Sequence, residues 1–393
     1  MNVFEILTGA LAVVVLIPAA VVFTQVMLAR QIPQAAFAPS RLPRPSVAVL
    51  IPAHNEAEGI TATLRSILPQ LGLCDRLLVV ADNCSDATAG IASDAGAEVV
   101  KRTDPARRGK GYALDFGIRH LAAAPPELVI IVDADCMVEA GTIDWLARTC
   151  GESELPVQAV YLMHALATAS LKMRIAEFAW VLKNWVRPLG SRRLGLPCQL
   201  MGTGMAFPWR LISDARLAHA ELVEDMKLGI DLALAGYPPL FCLQARVSSR
   251  FPDAAHAAAT QRTRWEHGHL GMIAREFPRL FGQAIARTDM RLLGLALDLA
   301  VPPLALLVVM MVSVLALALV VFWIGLSVLP LFLAVAAFTL LTSAVLTAWW
   351  RRGRGILPLA ALLSVPFYVL AKIPMYLKFW TRRQKEWVRT ERK

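Results

Sequence analysis

The chemistry in this chain concentrates first at Asp133-Ala134-Asp135, where two carboxylates close the apolar, β-branched run 128–132. That run is too short for a helix and reads as a buried strand. Such a strand delivers both acids to its carboxyl edge, where open α/β sheets bind ligands. Carboxylates one residue apart form a hard oxygen site that suits Mg2+ or Mn2+, with the remaining ligands drawn from a diphosphate and water. The bland alternative is a solvated turn at a strand end, where Asp is common.

The elements needed to position those acids follow from composition and pattern. The chain has 393 residues, 56% of them hydrophobic, and a mean hydropathy of +0.53. That is too apolar for an ordinary soluble domain. The apolar residues are clustered. Residues 6–28 are nearly uncharged and long enough to cross a bilayer, which takes about 20 residues. Residues 292–350 form a second block broken only by Asp298, and 356–379 a third, interrupted by Pro358, Pro366, Pro374 and Lys372. The first segment lacks a basic flank, Glu5 being the only charge before Arg30, so it reads as an uncleaved anchor.

The net charge is +10. No basic–aromatic recognition pattern accompanies it, so no nucleic-acid partner is expected. Much of the excess flanks the apolar blocks, at Arg351, Arg352 and Arg354 and again from Lys378 to Lys393. Positive charge beside membrane segments marks the cytoplasmic side, and it assigns the intervening domain there. Four spans would put the two basic runs on opposite sides, so the proline-interrupted 356–379 stretch reads as re-entrant or interfacial. The six cysteines (74, 84, 136, 150, 198, 242) show no paired zinc spacing.

Between the anchors, strands at 46–52, 77–81, 98–101 and 128–132 alternate with helical stretches at 57–68, after Asp86, and from Gly109 to His120. This alternation predicts a parallel sheet with right-handed crossovers. A further strand is expected at 157–163, an interfacial helix at 166–186 carrying Trp180, Trp185 and Arg187, and a helix over 226–235. Neither common phosphate loop is present: Gly202-Thr203-Gly204 lacks the third glycine and a preceding strand. ATP hydrolysis and dinucleotide redox chemistry are disfavoured accordingly. Glu224-Asp225, taken alone, reads as a pair of first-turn acids complementing a helix dipole. His267 and His269 lack a third metal ligand and read as surface or core histidines.

In order and spacing these stretches resemble the membrane-bound family-2 inverting glycosyltransferases, over residues 46–269 and the flanking anchors. The resemblance implies an α/β GT-A fold with a mostly parallel central sheet, plus N-terminal and C-terminal transmembrane helices. Pro52-Ala53-His54-Asn55-Glu56 is similar to the first-strand motif, which places Pro52, Ala53 and Glu56 at the nucleoside. Asp82 corresponds to the acid that contacts uracil, although Ala81 stands where paired acids are commoner. Asp86 reads as a cap. Lys110, in the glycine–lysine motif, would neutralise phosphate, while its glycines admit the backbone. Asp133 and Asp135 match the D-x-D, with Asp135 the direct metal ligand and Asp133 near ribose and metal. Asp225 would be the base that activates the acceptor, with Glu224 beside it. Gln261-Arg262-Thr263-Arg264-Trp265 matches Q-x-x-R-W: Gln261 and Arg264 would hold the diphosphate and Trp265 would stack on the acceptor sugar.

The expected organisation is an N-terminal anchor (1–30), a cytoplasmic GT-A domain with interfacial helices (31–290), a transmembrane or re-entrant region (291–380) and a basic tail (381–393). The expected activity moves a sugar from a UDP-sugar to a lipid-linked or glycan acceptor, with Mg2+ or Mn2+. The protein would sit in a bacterial-type inner or plasma membrane, in contact with membrane lipid, with an oligomer left open. The alternatives are a processive polysaccharide synthase and a non-catalytic nucleotide-sugar-binding receptor.

Overall fold

The computed structural model describes residues 2–30, 43–218, 223–252 and 255–381. The start of the 41–45 linker, Glu221 and Leu222 ahead of the acid pair, and the basic tail from Arg382 lie outside the described residues. The described chain divides into two compact units. One contains Gln31–His164 and Pro197–Gln261, the other Met1–Arg30, Ala165–Leu196 and Arg262–Gln384. This division keeps the linear boundary expected at 30 but not the one at 290. The stretches around 165–196 and 262–290 carry apolar faces that pack with the apolar helices rather than with the sheet.

In the sheet unit, β1 (Val47–Ala53), β2 (Arg76–Asp82), β3 (Glu98–Arg102), β4 (Leu128–Ile131), β5 (Met137–Val138), β6 (Val157–His164), β7 (Met205–Pro208) and β8 (Leu240–Arg250) form one sheet. Its order is β3-β2-β1-β4-β7-β6-β8-β5. The first four strands pair in parallel. β4 is wholly buried and β1 nearly so, which is why they read as continuous apolar runs instead of alternating ones. Beyond β4 the sheet becomes mixed. β7 runs antiparallel to both β4 and β6, and β5 antiparallel to β8. β6 and β8 pair in parallel through a bulge next to Ala159.

The sequence reading has no counterpart to β7 and β8. β7 is four residues long and ends in Pro208, and β8 is interrupted by its bulge, so neither gives a clean period of two. The helices Lys110–Leu121 and Glu224–Leu234 share a core with the sheet. Leu114, Ile118 and Leu121 from the first and Leu228 and Leu232 from the second pack with Leu50, Val80, Ile131 and Phe207. Burying these side chains fixes where both helix N-termini lie.

In the helical unit, four segments among the described residues are long and apolar enough to cross a membrane: Val3–Leu28, Leu304–Trp323, Leu329–Gly353 and Leu359–Phe379. The fourth is broken into Leu359–Leu362, Val365–Leu370 and Ile373–Thr381, with prolines at or beside each start. Lys372 lies in this broken stretch and pairs at 2.5 Å with Glu266 of the helix Ala255–Arg287, whose other carboxylate oxygen accepts from the Tyr376 hydroxyl. Two contacts orient the bundle ends. The Ser327 amide donates to Glu5 near the start of the first helix, and Arg351 donates to the Val26 and Met27 carbonyls at its finish. The basic run 351–354 therefore lies at the carboxyl end of the first helix.

The expected 166–186 helix is Leu171–Val181, followed by a wide π turn over Leu182–Val186 and a further helix Arg187–Arg193. Gly190 lets this last helix touch the first one, because a Cβ there would collide with the Gln25 carbonyl. Asp298, the lone charge in the second apolar block, belongs to a buried polar knot. Arg187 donates to its carboxylate at 2.7 Å and to Gln25 Oε1 at 2.8 Å. The Gln25 amide in turn donates to Asp298 and to Ser191. Breaking one side of a buried ion pair strands the other charge. Asp298→Ala is accordingly expected to destabilise the helical unit by about 3–5 kcal/mol, seen as a lower unfolding midpoint in detergent.

Candidate active site

The strand order 3-2-1-4 reverses direction between β1 and β4, and a crevice opens at the carboxyl ends of such a pair. Asp133, one residue past Val132, sits at this crevice. Its N–H donates to Thr203 Oγ1 at 3.0 Å. Lys110, at the first position of its helix, places its ammonium on the Asp133 carboxylate and donates to the Gly202 carbonyl at 2.6 Å. Gly202 has φ +91°, and the space a Cβ would take there is bounded by Asp225 Oδ2 at 3.4 Å and Lys110 Nζ at 3.7 Å. The positive φ is what calls for glycine here, since a Cβ would make only ordinary contacts with the two side chains facing it. A pocket beside this point is lined by Lys110, Leu114, Met205, Leu217, Glu224 and Asp225. Four of the sequence-predicted residues thus meet: Lys110, Asp133, Glu224 and Asp225.

The electrostatics are those of a site with surplus negative charge. Burial is the largest influence on Lys110 and opposes its charge, but the Asp133, Glu224 and Asp225 carboxylates together outweigh burial and hold the ammonium above its usual range. Burial also pushes the Asp133 carboxyl up; Lys110 opposes this, and Asp135 and Glu224 add to it. Both groups move up, Asp133 chiefly through burial and Lys110 through the acids around it. Such a surplus attracts a cation.

The donor set can be tested against a metal. Asp133, Asp135 and Cys136 each place a potential ligand atom within 4.8 Å of the others. The Cys136 thiol is pushed well up, first by burial and then by Asp135 and Asp133, so it stays protonated and donates weakly to Asp135 at 3.6 Å. What remains is an oxygen pair, which fits a hard divalent ion.

Along the same edge, the ends of β1, β2 and β3 are laced together. Asn55 and Asn83 both take left-handed backbone conformations. Asn55 accepts from the Ser85 amide at 2.7 Å and Asn83 from the Asp104 amide at 2.8 Å. Asp82 is buried and ion-paired to Arg102 at 2.6 Å, and Arg102 also lies over the Tyr112 ring. The Glu56 amide donates to Thr88 Oγ1, and Gly59 leaves room beside the Glu56 carboxylate. Pro52 and Ala53 end β1, the Ala53 carbonyl accepting from Cys84. Asp86 accepts from the Thr88 and Ala57 amides, as a cap would, though the helix proper starts a residue later.

Within the Q-x-x-R-W stretch, Gln261 is buried in the sheet unit. Arg264 and Trp265 belong to the helical unit, where the Trp265 ring lies 4.9 Å from that of Trp180. His267 donates to the Met375 carbonyl and His269 to the Leu299 carbonyl, as core histidines do. Two contributors, Arg102 and Gln158, go unassigned in the sequence, and Thr203 reads only as part of a small-residue acceptor-side turn. Arg102 ends a strand next to Asp104, an unremarkable charge pattern. Thr203 lies inside the noted glycine pair. Gln158 carried a usable signal, being an amide in an apolar strand that must find buried partners.

Residues 43–268 match the family described as Glycosyltransferase like family 2. The probable glycosyltransferase YdaM of Bacillus subtilis is 26% identical over 247 residues. That match covers 60% of this chain and 58% of the relative, so the chain spans less than two thirds of its length. The uncharacterized glycosyltransferase Rv0539 of Mycobacterium tuberculosis is 38% identical over 193 residues, 49% of this chain and 75% of that protein. Among solved structures, the mannosyltransferase PcManGT from Pyrobaculum calidifontis, in complex with GDP-Man and Mn2+, superimposes with a TM-score of 0.57 at 18% identity. That superposition covers 96% of this chain and 100% of the other, a likeness of GT-A-like fold. With the matched stretch running from ahead of β1 into the helix that carries Gln261, the chain belongs to glycosyltransferase-like family 2.

Proposed function

We propose that the protein moves a single sugar from a UDP-sugar to a lipid-linked or glycan acceptor, inverting the anomeric centre, at the cytoplasmic face of a bacterial-type inner or plasma membrane. The observation that carries this reading is the meeting of Lys110, Asp133 and Asp225 around Gly202. Asp225 is the base that takes the acceptor proton as the hydroxyl attacks, and Glu224 tunes its field. Lys110 neutralises diphosphate charge beside Asp133. Asp133 and Asp135 would hold Mg2+ or Mn2+, which would offset charge on the departing diphosphate. Glu56, Asp82, Pro52 and Ala53 line the nucleoside end, and Gln261, Arg264 and Trp265 serve the diphosphate and acceptor.

The PcManGT complex holds GDP-Man and Mn2+, which supports a nucleotide-sugar and a divalent ion and makes GDP-sugars the control donors. The basic run at the carboxyl end of the first helix supports a cytoplasmic sheet unit. Four apolar segments among the described residues support single transfer over a secretion channel, which would need more.

Four measurements test the proposal. Asp225→Asn is expected to keep UDP binding and lose transfer by at least about 10²-fold; transfer near the normal rate would reject the base. Lys110→Met is expected to cost about 10²-fold in kcat/KM. EDTA is expected to stop UDP release, and Mn2+ to restore it. Products with a defined lipid acceptor are expected to carry one added sugar, whereas a ladder would indicate a processive enzyme.

A further inference from the structure

Gln158 is wholly buried on β6. Its side chain is fully engaged with backbone. Nε2 donates to the Thr203 carbonyl and to the Ala159 carbonyl, each at 2.9 Å. Oε1 accepts from the Met201 amide at 2.8 Å. The amide therefore grips the 201–203 turn on both sides of Gly202. That same turn accepts the Asp133 amide on Thr203 Oγ1 and the Lys110 ammonium on the Gly202 carbonyl, and it faces Asp225 across the Gly202 Cα. Thr203 is itself wholly buried, so the hydrogen bonds run without a solvent gap from β6 to the acid cluster.

We infer that Gln158 is a positioning residue for sugar transfer: it fixes the 201–203 turn so that Asp133, Lys110 and Asp225 keep their spacing. This rests on the reaction proposed above. A buried amide satisfied at every bond is rigid, and reacting groups displaced by a fraction of an ångström lose rate out of proportion to binding. Removing the amide lets the turn relax, and the loss falls on kcat more than on donor KM. A merely structural glutamine would cost stability without that split.

The test compares Gln158→Met, Thr203→Val and their double variant in the full-length protein in detergent, with Gln70→Met as a control. Gln70 also bonds backbone within the sheet unit, donating to the Ser66 and Val138 carbonyls and accepting from the Ile143 amide, none of which belongs to the turn. Gln158→Met is expected to lower kcat about 10- to 100-fold with donor KM changed less than about threefold, while Gln70→Met keeps kcat. The two turn variants are expected to be non-additive, because both act through one hydrogen-bonded unit. Mn2+ binding followed by EPR without substrates is expected to weaken several-fold in Gln158→Met as the Asp133 amide loses its support. A kcat within about twofold of wild type, or losses that simply multiply, would overturn the inference.

Should Gln158→Met not fold, the size-conserving Gln158→Glu takes its place with the same outcomes. Failure of both to fold would assign Gln158 to general stability and reject the positioning role. A wild-type protein inert to every nucleotide-sugar would instead sink the reaction, and the EPR comparison would still read the turn.

Discussion

One cation among several acids is the constraint on which the site depends. Lys110 reaches Asp133 directly and feels Glu224 and Asp225. Without an ammonium there, like charges crowded at one sheet edge would repel, and the half-buried carboxyl of Asp133 would lose the cation it pairs with. The lysine leaves the cluster with surplus negative charge. The Gly202 carbonyl completes the arrangement by aiming the ammonium between the acids.

That arrangement depends on packing remote from the charges. The helices that begin at Lys110 and Glu224 reach the same place because Leu114, Ile118, Leu228 and Leu232 fill one core layer against β1, β4 and β7. The short antiparallel β7 matters here, since it leads the chain out of the 201–203 turn and back beside β4. Hydrophobic burial decides where the helices lie, and polar groups at their starts inherit the position. The helical unit solves a different problem. It must satisfy Arg187 and Asp298 among apolar helices, and it does so with a closed set of hydrogen bonds that leaves neither charge alone.

Several features were legible beforehand because they are local. The apolar runs of β1, β2 and β4 announce buried parallel strands, and the acids at 133 and 135 announce the edge where they end. The cap expected at Asp86 is missed by one residue: Asp86 accepts from the Thr88 amide, but the N-cap position is Ala87. Others were illegible for equally physical reasons. The helix expected over 166–186 begins at Leu171 and finishes in a π turn over Leu182–Val186 that no spacing of residues signals. The linear boundary at 290 failed to anticipate that 165–196 joins the apolar helices, because which apolar face pairs with which is a three-dimensional choice.

The sequence alone determined the alternation of strand and helix, the apolar segments, and the types of group available for chemistry: oxygen pairs, one lysine in a glycine loop, an acid pair ahead of a helix. These follow from hydrophobic periodicity and side-chain chemistry, which operate over a few residues. Only the tertiary structure decided that residues 110, 133, 202 and 225 would meet, that Arg102 would occupy Asp82, and that Gln158 would hold the turn between them. Contacts between residues so far apart along the chain are set by how the core packs and by the need of buried polar atoms for partners, and neither leaves a mark at fixed spacing.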